Sequence, residues 1–167
     1  MTKYLGLPLT NTRLQRVDFQ PLVDKEVSNL TVWNGKNINH VGRSTLVKAV
    51  VTSQVVYCLT SLRAPKATLK EINNLMKSFL WAGSKKLIGG KCKVNWPRST
   101  KPTESGGLGI LHLRKFAKAV CLRRLWKEWE GEGRVTNNPN MLYDTTDRLL
   151  FATATSITVG DGSRAPF

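Results

Sequence analysis

Thr68-Leu69-Lys70-Glu71-Ile72-Asn73-Asn74-Leu75-Met76-Lys77-Ser78-Phe79-Leu80-Trp81 decides the fold class. Leu69, Ile72, Met76, Phe79 and Leu80 recur at helical spacing, so the stretch reads as an amphipathic helix with one apolar stripe. A stripe of this kind belongs to a core and not to a cofactor pocket. Pro65 breaks the chain just upstream, and Thr68 with Glu71 three residues on has the spacing of a capping box. The helix is therefore expected to open at Thr68.

Two further helices are expected before it. Pro21 suits a first helical turn, where its missing N–H would be unpaired anyway. Val23, Val27, Leu30 and Trp33 follow at helical spacing, and Asn34-Gly35 supplies a pair that tolerates the left-handed conformation closing a helix. The next helix runs from about Gly42 to Leu59, with Leu46, Val47, Val50 and Val51 on one side and Arg43 and Lys48 on the other. Its valines lower helix propensity, so a strand over Ala49–Tyr57 is the competing reading. At the N-terminus, Tyr4–Leu9 reads as an edge strand or strand-turn, because Pro8 cannot sit in a central strand.

Downstream, glycines, prolines and cations (Lys85, Lys86, Lys91, Lys93, Arg98, Lys101) make residues 83–111 a loop-rich connector. A mobile basic segment suits phosphate backbones, and a solvated linker is the plainer reading. A helix over Leu113–Trp129 follows, its inner face built from Phe116, Val120 and Cys121 with Leu125 or Trp129. A short helix near Met141–Leu150 comes next, then a strand at Ser156–Val159 and a turn at Gly160-Asp161-Gly162. The fold class is mainly α: a helical bundle with a short N-terminal edge strand and a C-terminal helix plus β-hairpin. Its expected organisation is 1–82 for the first helices, 83–111 for the connector and 112–167 for the remainder.

Charge sets the partner class. The 167 residues carry 26 Lys and Arg against 11 Asp and Glu, a net of +15. Residues 1–100 hold 16 basic and 4 acidic residues, so the polyanion-facing part is expected there. Cys58, Cys92 and Cys121 lack metal-ligand spacing with each other or with His40 and His112. No zinc site or other cofactor is expected, and a reducing intracellular setting, nuclear or cytoplasmic, fits the cysteines. The apolar run around Val47–Leu59 is too short and too polar for a membrane span.

Catalytic signals are missing. No two carboxylates adjoin, so a two-metal phosphoryl-transfer centre has no obvious ligands. Asp144 and Asp147 lie one helical turn apart and read as surface groups or caps. Gly106-Gly107-Leu108-Gly109 lacks the strand, helix and Lys of a phosphate-binding loop.

The ordered clusters nevertheless carry a resemblance. Lys3-Tyr4-Leu5-Gly6-Leu7-Pro8-Leu9, Trp33-Asn34-Gly35-Lys36 and Gly42-Arg43-Ser44-Thr45-Leu46-Val47-Lys48-Ala49-Val50 come first. Phe79-Leu80-Trp81, Val94-Asn95-Trp96-Pro97 and Gly106-Gly107-Leu108-Gly109-Ile110 follow. The series resembles the C-terminal part of the reverse transcriptase of plant non-LTR (LINE-type) retrotransposons. The resemblance implies a primer-grip element at the first cluster and thumb helices after it. It then implies a connector into a zinc-binding reverse-transcriptase segment, entered at Val159–Arg164. The fingers, most of the palm with its metal-binding aspartates, and the Cys/His zinc ligands have no counterpart in this sequence. The chain therefore reads as a thumb-like piece, not an enzyme by itself.

That reading makes Arg43 and Lys48 the best phosphate contacts, with Lys3 and Tyr4 as a grip on the primer backbone and Lys85, Lys86, Lys91 and Lys93 in support. A solvated helix face is the plain alternative for Arg43 and Lys48, and core packing for Tyr4. The expected partner is an RNA–DNA or other duplex bound without sequence preference, with a separate palm domain as a further partner. The competing reading is a degenerate retroelement reading frame without selected function.

Overall fold

The computed structural model describes residues 2–10, 12–84, 94–131 and 144–155. The chain is mainly α, as the apolar periodicity predicts. Lys66–Ala82 forms α4, which gives the main core more buried apolar side chains than any other helix. Leu69, Ile72, Met76, Phe79 and Leu80 are all buried, so the whole predicted stripe enters the core.

The start of α4 departs from expectation. The helix opens two residues before Thr68, with extended Pro65 as its N-cap and Leu69 N donating to Pro65 O at 3.2 Å. Thr68 then lies inside the first turn, where its hydroxyl cannot cap. It is fully buried and its Oγ1 has no hydrogen-bond partner. Glu71 pairs with Arg16 instead, Nη2 to Oε2 at 2.9 Å.

Ahead of α4 come α1 (Gln20–Val32) and a long rod made of α2 (His40–Leu46), a π-turn (Val47–Val51) and α3 (Thr52–Ser61). Pro21 occupies the first turn of α1, and Asn34 just beyond it takes φ +41°, the left-handed closure its sequence predicts. The rod refutes the strand reading of Ala49–Tyr57. Val47, Val51, Val55 and Leu59 are buried along it at a spacing of four. Such a row drifts around a regular α-helix, and one wider turn takes up the drift. Thr52 marks that turn, its Oγ1 donating to Val47 O at 2.8 Å and its N–H to the same oxygen.

The turn after α1 is welded to the end of α4 through backbone. Gly83 closes α4 with φ +62°, its N donating to Phe79 O at 2.8 Å. A Cβ on Gly35 would stand 2.6 Å from the Phe79 ring and 2.9 Å from Gly83, so both positions require glycine.

The N-terminal segment, expected as an edge strand or strand-turn, is a two-stranded antiparallel hairpin. β1 (Thr2–Tyr4) pairs with β2 (Leu7–Leu9), with Lys3 opposite Pro8 and Tyr4 opposite Leu7. Leu5 and Gly6 both have positive φ, the two-residue turn that follows the natural twist of a hairpin. Either strand is an edge, so Pro8 is tolerated. Leu7 packs with Leu14, Phe19, Cys58 and Leu62 in a second, smaller core.

The described part of the glycine-rich segment is pinned, contrary to the mobility expected of it. A short helix, α5 (Trp96–Ser99), presents Trp96 to the main core, and Ile110 is buried there. α6 (Leu113–Trp129) has the bounds its sequence predicts. α7 (Thr145–Ala154) starts later than Met141, because Asp144 and Asp147 form a reciprocal cap at its N-terminus. The expected strand at Ser156–Val159 and the turn after it lie outside the described residues.

Candidate nucleic-acid interface

α6 is built from good helix formers, without glycine or proline inside it. Its N-cap is weak, His112 Nδ1 accepting from Lys115 N at 3.4 Å. Leu113 and Leu125 are buried, with Phe116 and Ala117 packed against the main core. Of the predicted inner face, Val120 and Cys121 are half-buried and Trp129 is exposed. The outer surface is of one sign: Arg114, Lys115, Lys118, Arg123 and Lys127 are exposed, and Glu128 is the helix's lone carboxylate. Arg114 with Lys118, and Arg123 with Lys127, are like charges one turn apart, a pairing that costs roughly 0.2–0.5 kcal/mol each. Such a surface is tolerated at a cost to the free helix, and an anion relieves it.

One flank of α6 borders a cleft of about 250 Å³. Its apolar floor is Leu59, Leu62 and Leu69, and Arg63, Lys66, Arg114, Lys118 and Arg124 line the walls. Two of these cations are already committed. The Arg63 Nη2 lies 3.0 Å from Asp144 Oδ2 and 3.1 Å from Asp147 Oδ2, fastening the start of α7 beside the cleft. The Arg124 guanidinium donates to the Thr60 carbonyl near the end of α3, where a cation suits the helix dipole. Lys66, Arg114 and Lys118 are exposed.

The electrostatics of the carboxylates fit caps. Hydrogen bonds from the Thr146 hydroxyl and amide, aided by Arg63, hold the Asp144 carboxyl down to about 2. Asp147 is buried and its Oδ2 accepts from the Asp144 amide at 3.3 Å. Burial, reinforced by Asp147, pushes the Cys121 thiol up, which suppresses its nucleophilic form. Among the described residues no His, Cys, Asp or Glu cluster has the makings of a metal site.

The described sequence-derived site residues, Lys3, Tyr4, Arg43 and Lys48, are spread over the hairpin, α2 and the π-turn. Lys3 sits opposite Pro8 in the hairpin. Tyr4 beside it is 64% exposed, so core packing does not explain it. The hairpin is tied to α3 by the Tyr57 hydroxyl, which donates to Leu5 O at 2.9 Å. Lys48 is exposed on the π-turn, with its Nζ near Gly109. Residues 48 and 57 are about 14 Å apart along the rod, at ~1.5 Å per residue. Arg43 turns inward: its Nη1 reaches Phe79 O at the α4 C-terminus at 3.5 Å, and its buried Nε has no hydrogen-bond partner. Lys85, Lys86, Lys91 and Lys93 lie outside the described residues.

The glycine-rich loop is no phosphate cradle. The amides of Gly106, Gly107, Leu108 and Gly109 donate to Thr103, Pro102, Ser99 and Lys101 carbonyls at 2.9–3.1 Å. Sequence reasoning missed the cleft, because Arg63 and Lys66 are far from α6 in the chain. The like-charge pairs on α6 were the signal available for it.

No family model and no solved structure matches the chain. It is similar to a protein of Arabidopsis thaliana whose name describes it as a ribonuclease H protein, with 26% identity over 121 residues. The match covers 72% of this chain and 19% of the relative, so the chain spans less than a fifth of that protein's length. Among the described residues no helix is long and apolar enough to cross a membrane. The similarity to a plant ribonuclease H protein fits a retroelement-related reading frame.

Proposed function

We propose that the chain is a thumb-like helical module of LINE-type reverse-transcriptase ancestry that binds nucleic-acid backbone without sequence preference and without catalysis of its own. The observation that carries this is the one-sign outer surface of α6, adjoining the cleft cations Lys66, Arg114 and Lys118. Exposed Lys and Arg can pair with phosphates, and phosphate contacts carry no sequence information of their own. Asp144 and Asp147, one helical turn apart, are engaged with Arg63 and the α7 cap, which leaves them poorly disposed to hold metal. The resemblance to the retroelement enzyme and the plant relative both point to a nucleic-acid partner.

Titrating an RNA–DNA duplex with the full chain across salt tests the reading. Neutralising ~5 phosphates gives a log–log slope of about −4 to −5. An affinity indifferent to salt between about 50 and 300 mM would sink the proposal.

The competing reading, a reading frame free of functional selection, is favoured by buried polar groups left unsatisfied, notably both Glu26 carboxylate oxygens and Thr68 Oγ1. A featureless thermal melt supports it; a cooperative one counts against it.

A further inference from the structure

The strongest unexplained surface is aromatic. Trp126 and Trp129, 42% and 61% exposed, stand one turn apart at the C-terminal end of α6. Their ring centroids are 5.4 Å apart at an interplanar angle of 50°. Phe151 of α7 meets Trp126 edge-on at 6.3 Å, bracing that ring and leaving Trp129 open. Exposed tryptophan is costly to keep in water and calls for an occupant.

The rest of the same helix face names the occupant's charge. At helical spacing, Lys115, Lys118 and Arg123 share the face with the two rings, and Glu130 follows at the far end. The track from Lys115 to Trp126 is about 16 Å, at ~1.5 Å per residue. Cations leading to open aromatic faces match a strand whose phosphates are followed by unpaired bases. A duplex cannot use the rings, since its bases are already stacked. Leu113, Phe116 and Leu125 are committed to the protein's own packing. Among the described residues here, an anionic membrane would find the two rings and the exposed Leu149 and Leu150 of α7, a small apolar area behind a row of cations. A protein partner would meet a face whose first half is lysine.

We infer that Trp126 and Trp129 are a stacking platform for unpaired bases of a single-stranded nucleic acid whose phosphates run along Lys115, Lys118 and Arg123. The inference rests on the proposal that α6 meets nucleic acid, and adds to it a preference for single strand at this end.

The test is fluorescence anisotropy of the full chain with a dT oligonucleotide of about 12 residues and a blunt duplex of equal length. Trp129→Ala should weaken single-strand binding about tenfold and leave duplex binding within about twofold, since one stacked base is worth ~1–3 kcal/mol. Trp129→Phe should restore most of the loss. Lys115→Ala with Lys118→Ala should weaken both ligands and lower the salt slope by about 1–2. An equal loss on both ligands, or no loss on single strand, overturns the platform. So does a Trp129→Ala variant that changes only vesicle binding or the oligomeric state. A wild-type chain that binds neither ligand defeats the underlying proposal; one that binds both while Trp129→Ala binds both unchanged defeats the platform alone.

Discussion

α4 and α6 are each 17 residues long and do opposite things with that length. α4 buries Thr68, Leu69, Ile72, Met76, Ser78, Phe79 and Leu80. α6 buries Leu113 and Leu125 and turns a row of cations and two tryptophans outward. Helix length therefore says nothing about a helix's share of the stability. α4 holds the molecule together, and α6 spends about half of its side chains on a surface that folding alone does not need.

The sharpest way to break this contrast is Phe79→Ala. Phe79 is fully buried and touches Trp33 edge-on at 6.0 Å, so its loss should cost about 3–5 kcal/mol in urea unfolding. A loss below about 1 kcal/mol would mean that α4 is not the centre of the core.

Glu26 on α1 probes the same core by pH. Burial pushes its carboxyl from 4.5 up to about 7, so the folded state holds that proton more tightly than the unfolded chain does. The stabilisation is complete below pH 4.5 and drains away as pH rises toward about 7, by roughly 2–3 kcal/mol. Glu26→Gln should flatten the pH dependence of the melting temperature over that window. An unchanged slope would show that Glu26 is solvated or paired.

Thr68→Val removes a buried hydroxyl that has no partner while keeping the shape. The variant should be more stable by about 1 kcal/mol, read as a higher urea midpoint. A destabilised variant would reveal a partner for that hydroxyl.

The smallest effect lies on α6. Lys115→Glu places a carboxylate in the first turn of α6, three residues before Lys118, and should stabilise the fold by a few tenths of a kcal/mol at low salt, while weakening duplex binding. Opposite signs for stability and binding would separate the two helices' roles; losses in both would merge them.

How much of this was legible follows the same division. The α4 stripe, the closure at Asn34 and the bounds of α6 were visible because each depends on residues close in sequence. Thr68 misled because its capping signal competed with Pro65, which opens the helix earlier by denying the chain an amide. Arg43 read as a surface cation because the carbonyl it faces, Phe79 O, is 36 residues away. The Arg63 bridge to Asp144 spans 81 residues and has no local signature. Trp129 reads as an inner-face candidate because apolar spacing cannot tell a packed ring from an exposed one.

The π-turn at Val47–Val51 gives the rod an unusual tolerance. A turn bonded from residue i to i+5 holds one residue more than a regular turn. Deleting one residue there would let the ladder revert to ordinary α geometry, with Val55 and Leu59 still facing the core. The same deletion in α4 would swing Met76, Phe79 and Leu80 by about a quarter-turn out of register. The chain thus has one place in its buried framework where its length can change by a residue without moving what lies beyond.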